Sequence, residues 1–262
     1  MKRLIYTLYF NGKTFCLSRN FKLQSVGDVN WLHDNYGFGK TSHYIDELII
    51  LNVCREHNKQ SQLAFAEAVN TLTRDIFIPL SLGGGIRTLE DAHHMFSIGA
   101  DKIILNTTCF DKPHLLNEIS DVYGSQSLIC SIDLSYQPSK GYSILTESAT
   151  KEVAYLETID FKHISNSFGE LMVHSIDRDG TGEGFDFRLA EILHTKNLAN
   201  QIIFSGGAGK PIHFSDLMIA FPWISATATG NLFNFLGTGL KDARELLIQK
   251  GIPLPDFNFK ND

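Results

Sequence analysis

The chain has no CxxC pair, no basic cluster, and no apolar run near the ~20 residues that a membrane span needs. Each absence excludes a class. Cys16, Cys54, Cys109 and Cys130 are too scattered to staple a small secreted scaffold, so they read as ordinary buried thiols in a reducing compartment. Without a long apolar run, no membrane partner is expected. The 23 Lys and Arg are spread along the chain against 29 Asp and Glu, for a formal charge of -6, so a nucleic-acid footprint is not supported. Met1-Lys-Arg-Leu-Ile-Tyr enters a strand at once, with no signal-peptide apolar region, and a cytoplasmic protein is expected. The ten histidines include the pair His93-His94, but none stands at metal-ligand spacing. No metal and no cofactor are expected, and the histidines read as surface or core residues.

What is present is glycine and acid after strands. Ser175-Ile-Asp-Arg-Asp-Gly-Thr-Gly-Glu-Gly184 follows the apolar run 171–174, and Ser205-Gly-Gly-Ala-Gly209 follows Ile202-Ile-Phe204. Glycines there let backbone N–H groups approach a ligand closely, and stacked N–H groups bind phosphate without a lysine. Asp177 and Asp179 set carboxylates beside that cradle. Asp179 has the alternative of capping the next helix, and Asp177 with Arg178 that of pairing on the rim.

In chain order, strands are expected at 4–10, 46–53, 76–82, 102–105, 127–134, 171–174, 202–204 and 224–228. Helices are expected at 62–74, 89–98, 113–122, 187–194, 212–221 and 240–249. Thr88 reads as an N-cap and Gly99 as a helix stop. Residues 13–43 read as polar and Gly-punctuated, with a possible helix at 29–35. The stretch 136–142, with Pro138 and Gly141, reads as a long loop and 144–156 as a hairpin followed by a helix. The tail after Pro253 reads as loose. About eight strand–helix units in 262 residues, with no long linker, predict one domain: an α/β fold closed as a (β/α)8 TIM barrel.

Landmarks repeat at a constant offset near 123 residues: Glu47 with Glu170, Gly83 with Gly206, Phe110 with Phe233. That predicts two homologous half-barrels, about 1–123 and 124–250. Each half would carry a phosphate clamp: Gly85, Asn106 and Thr107 in one, and Asp179, Gly180, Thr181, Gly207, Gly230 and Asn231 in the other. Two clamps at one mouth suit a small molecule with a phosphate at each end.

Seven stretches, taken together, carry a family resemblance: Asp46-Glu-Leu, Gly83-Gly-Gly-Ile, Gly99-Ala-Asp-Lys102, Asn106-Thr107, Ile132-Asp133, Ser175-Ile-Asp-Arg-Asp-Gly-Thr181 and Ser205-Gly-Gly-Ala-Gly-Lys210. In this order they resemble the cyclase subunit of imidazole glycerol phosphate synthase, from histidine biosynthesis. The resemblance implies a barrel that takes ammonia from a glutaminase subunit docked at its bottom and adds it to a phosphorylated substrate at its top. It implies an ammonia gate of Arg3, Glu47, Lys102 and Glu170, and a partner interface near Asp101 and Gln126. It also implies an acid–base pair of aspartates on the first and fifth barrel strands. The second is Asp133. The first aligns with Tyr9, in Tyr6-Thr-Leu-Tyr9 where the family has Pro-Cys-Leu-Asp. A lysine of the family's first loop aligns near Leu17, and an aspartate of its second strand with Asn52. A phenol of ordinary pKa near 10 is a poor base at neutral pH. Two function classes stay open: an ammonia-using synthase subunit, and a non-cyclising scaffold or ammonia conduit for an amidotransferase of bacterial surface sugars.

Overall fold

The structure, a computed structural model, describes residues 1–36, 41–161, 165–231, 233–235 and 237–255. The tail from 256 onward and Leu232 lie outside the described residues. The strands are β1 (Arg3–Phe10), β2 (Phe15–Arg19), β3 (Lys22–Gly27), β4 (Glu47–Asn52), β5 (Leu80–Gly83), β6 (Lys102–Leu105), β7 (Leu128–Gln137), β8 (Gly141–Thr146), β9 (Lys151–Tyr155), β10 (Glu170–Ser175), β11 (Gln201–Ser205) and β12 (Ala226–Thr229). The helices are α1 (Val29–Tyr36), α2 (Lys59–Thr73), α3 (Leu89–Ser97), α4 (Thr107–Asp111), α5 (Pro113–Tyr123), α6 (Phe187–His194), α7 (Pro211–Ala220) and α8 (Gly239–Gln249).

Eight of the strands pair in parallel and close on themselves in the order β1, β4, β5, β6, β7, β10, β11, β12, with β12 back on β1. This is the expected (β/α)8 barrel. Strand alternation splits each strand between two cores. Ile5, Ile49, Ile104, Ile129, Met172, Ile203, Ala226 and Ala228 fill the lumen. Leu4, Tyr6, Leu8 and Phe10 point outward against the helical layer. A strand covered on both faces shows an unbroken apolar run, and 4–10 of β1 are all buried. The helix starts are fixed locally. Thr88 and Asp91 form a capping box on α3, Asn58 and Ser61 on α2, and Asp186 caps α6 through Leu189 N at 3.1 Å.

Three expectations give way. Within 13–43 the chain forms the antiparallel hairpin β2–β3 as well as the helix α1. Four of the six β3 residues are exposed, so no apolar alternation marks it. The loop at 136–142 is a hairpin: β7 runs on to Gln137 and β8 pairs back on it, Tyr136 opposite Tyr142. Pro138 and Gly141 confine their turn signal to the tip. No helix follows in 144–156, because β8 pairs with β9 instead. Thr107 to Asp111, between the expected strand and helix, coils into the short helix α4. Both hairpins leave the barrel at one level: β2 pairs with β1 at Tyr9 and β8 with β7 at Asp133.

Candidate active site

Three barrel strands bring the site together. His174 of β10 lies in register with Asp133 of β7 on one side and Ser205 of β11 on the other. Its Nδ1 is 3.1 Å from Ser205 Oγ, and its Nε2 is 3.4 Å from Asp179 Oδ1, an ion-pair distance. Asn106 Nδ2 donates to Asp133 Oδ2 at 2.9 Å and to the Ser131 carbonyl at 3.1 Å. Asp133, His174 and Asp179 are all buried. Burial pushes Asp133 up to about 6, against the opposing pull of His174 and Asn106 and with a further push from Asp179. Burial likewise works to raise Asp179, but His174, Ser18 and the Phe21 N–H outweigh it and hold it below the usual carboxylate range. Tyr9, at the end of β1, is pushed well above the ordinary phenol value by burial and by the charges of Asp179 and Asp133.

The β2–β3 hairpin closes over this cluster. Ser18 Oγ donates to Asp179 Oδ2 at 2.6 Å and Phe21 N to the same oxygen at 3.1 Å. Asn20 N donates to the Asp179 carbonyl at 3.0 Å, and the Phe21 ring meets His174 edge-on. Asp179 therefore anchors the hairpin, and the cap of the next helix is Asp186. Gly180, at φ +67, has the Ser18 carbonyl 2.2 Å from where a Cβ would stand, so a side chain there would push the hairpin off. On the other side a Cβ on Gly230 would meet the Tyr9 ring at 2.6 Å. The cavity lined by Tyr9, His174, Asp179 and Gly230 has about 10 Å³, room for one water-sized molecule.

The remaining expected ligand residues all sit at this mouth, with partners inside the protein. Thr107 Oγ1 accepts from Glu147 N at 3.2 Å, and Gly85 lies against the His57 ring. Thr181 Oγ1 donates to the Arg178 carbonyl at 2.8 Å, and Gly207 O accepts from Gly184 N at 2.8 Å. Asn231 N donates to Thr229 Oγ1 at 3.3 Å. Asp177 and Arg178 do not pair: Asp177 accepts from Ser135 Oγ at 2.9 Å, and Arg178 reaches Glu183 at 3.8 Å.

At the opposite mouth Arg3, Glu47, Lys102 and Glu170 form a closed ring. Arg3 Nη1 donates to Glu47 Oε2 at 2.8 Å, and its Nη2 reaches Glu170. Lys102 Nζ lies 3.2 Å from Glu47 Oε1 and 2.5 Å from Glu170 Oε1. Ser81 Oγ adds a donor to Glu47 at 2.6 Å. Asp101 and Gln126 flank the ring in a groove of about 550 Å³ shared with Pro79, Phe96 and Tyr123. Nearby, Phe77 is exposed on the loop before β5.

His174 was not among the expected site residues. It ends an apolar run, and a lone histidine carries no spacing signal. Its period-two step from Met172 toward the lumen and its place three residues before the first carboxyl-end acid, Asp177, were the available cues.

Fold and site together define a (β/α)8 barrel with two buried aspartates and a histidine at the carboxyl ends of its strands and a charged ring at the other end. Residues 41–234 match the family described as histidine biosynthesis protein. A protein of Parasynechococcus marenigrum (strain WH8102), provisionally named imidazole glycerol phosphate synthase subunit hisF2, is 42% identical over 246 residues, covering 93% of this chain and 89% of that one. Imidazole glycerol phosphate synthase subunit HisF of Leptospira biflexa serovar Patoc is 33% identical over 210 residues, 79% of this chain and 80% of that one. The HisF subunit of Pyrococcus furiosus is 31% identical over 257 residues, 97% and 98% of the two chains. The chain belongs to the imidazole glycerol phosphate synthase cyclase-subunit family, as a divergent paralogue. Among the described residues, no helix is long and apolar enough to cross a membrane.

Proposed function

We propose that this chain is the ammonia-using, cyclase-type subunit of a cytoplasmic glutamine amidotransferase complex. A glutaminase docks at the ringed mouth, near Asp101 and Gln126, and a phosphorylated small molecule is handled at the other. The observation that carries this reading is the ring of Arg3, Glu47, Lys102 and Glu170, closed across the lumen at 2.5–3.2 Å between Lys102 and the two carboxylates. Four charges are costly to bury without a purpose beyond packing. Ammonia is small and neutral, and a ring that parts slightly passes it while holding back larger solutes. Above the ring the lumen is apolar, and among the described residues the buried Thr7 hydroxyl has no hydrogen-bond partner, leaving a polar stop on the way to Asp133. The four-plus-four division of barrel strands, each four opening with a strand that carries a hairpin, supports reading the single domain as two half-barrels.

The test is co-purification with a glutaminase encoded nearby, its glutaminase rate with and without this chain, and ammonia-dependent turnover of the histidine-pathway substrate. Complex formation with stimulation and turnover is the expected result. No complex and no stimulation at micromolar concentrations would sink it. One observation favours a second reading, an ammonia conduit or scaffold for a surface-sugar amidotransferase: Tyr9 fills the place of an acid–base carboxylate and leaves a cavity of about 10 Å³. A stimulated complex without turnover is its signature.

A further inference from the structure

We propose that His174, held by Asp179, is the proton-transfer partner of Asp133, in place of the carboxylate that the family's pattern sets on the first strand. The reaction it serves rests on the cyclase reading above; the choice of residue rests on geometry. His174 and Asp133 occupy paired positions on adjacent strands, both turned to the lumen. Among the described residues lining the cavity, His174 is the one side chain able to carry a positive charge. Tyr9 cannot fill the role as a base, since burial and two carboxylates keep its phenol protonated; it is left as a hydrogen-bond donor.

The groups facing the imidazole come from every element around it: Asp133 from β7, Asp179 from the loop after β10, Ser205 from β11, Tyr9 from β1, and the Phe21 ring from the hairpin. Burial pulls the imidazole toward neutrality, but Asp179, 3.4 Å from Nε2, and the charge of Asp133 outweigh it and raise its pKa. Asp133 ionises at about 6. Between that value and the raised value of His174, one residue stands as base and the other as acid. In a turnover Asp133 takes one proton from the substrate and the imidazolium gives one, and each regains its starting state by exchange with solvent.

The imidazole is read by NMR in the full chain, with the His174 signal assigned by its loss in His174→Gln. It is expected to titrate above the ordinary value of about 6.5 and to drop by about one unit in Asp179→Asn. Titration at or below the ordinary value, or no drop, overturns the proposal. In ammonia-dependent turnover the wild type is expected to give a bell-shaped pH profile. His174→Gln is expected to lose ~10²–10⁴-fold and the alkaline limb with it. A variant that keeps rate and limb overturns the proposal. Should His174→Gln fail to fold, Asp179→Asn retains the imidazole, and its alkaline limb must move down with the imidazole titration; a fixed limb overturns the proposal. A wild type without turnover counts against the cyclase reading instead, and the imidazole titration then decides this one.

Discussion

The two ends of the lumen bury the same kinds of group and treat them differently. At the ringed end two cations face two carboxylates, and each of the four touches both of its opposites. At the other end Asp133 and Asp179 share one histidine, with a phenol as neighbour. Burial works to raise Glu170, yet Arg3 and Lys102 outweigh it and hold it below its ordinary value. Asp133, also buried, is pushed up to about 6, first of all by that burial. Burial acts at both ends, and the cations and donors beside each carboxylate decide how far it is offset. Matched charge holds the ring carboxylate Glu170 ionised, and a shortage of one cation at the other end leaves Asp133 raised to about 6.

The largest effect comes from removing the unmatched carboxylate. Asp133→Asn is expected to lose ~10²–10⁴-fold in ammonia-dependent turnover, while its urea midpoint stays level or rises, because a buried ionisable group is gone. A variant with full turnover would show that the top is as inert as the bottom. The converse experiment is Glu47→Ala. It leaves Arg3 and Lys102 sharing one carboxylate and strips Ser81 of its acceptor. Breaking a buried pair costs ~3–5 kcal/mol, and partial solvation of the two cations, at 17% and 20% side-chain exposure, points to the lower end. Urea denaturation checks it, and a loss below ~1 kcal/mol would mean the ring is not the closed unit described.

A smaller effect tests what shapes the top. Gly230→Ala sets a methyl into the Tyr9 ring at 2.6 Å and is expected to cost ~1–3 kcal/mol as overpacking. Pairing it with Tyr9→Ala should return most of that loss in a double-mutant cycle. Purely additive losses would show that the ring is not wedged against Gly230.

How far the sequence discloses this arrangement depends on whether a residue's signal is local. The barrel strands are legible because both faces are apolar, and α3 because Thr88 and Asp91 close a box within four residues. Glu47, Lys102 and Asp133 are legible through the family-like stretches that contain them. The β2–β3 hairpin is not, since its exposed strand has no core to pattern against. Gly180 illustrates the same limit. Its lack of a side chain reads as room for phosphate, and in the fold the room is taken by the Ser18 carbonyl, 162 positions earlier in the chain. His174 acquires its meaning from Asp133 and Asp179 across strands, which no spacing along the chain encodes.

The smallest effect gives the comparison a sign. Glu170 has a lowered pKa, so it contributes stability above its unfolded value near 4.5 that is lost as pH falls through the folded value. The ring therefore makes the protein acid-labile. His174 has a raised pKa, so its contribution is complete below about 6.5 and is lost as pH rises through the folded value. Asp133 adds to this: its pKa is raised to about 6, so the native state holds the extra proton between about 4 and 6, and stability falls as pH climbs through that window. Asp179, with a lowered pKa, sides with the ring in acid. From about pH 5 to pH 8 the top cluster is thus expected to remove stability on the order of 1 kcal/mol, while the ring contributes a flat line. Urea midpoints across that range check it in the wild type and in a variant carrying Asp133→Asn and His174→Gln together. The variant should lose the downward slope and keep the acid limb. A wild type whose stability rises from pH 5 to 8 would mean that His174 is neutral in the fold and that the top cluster is matched after all.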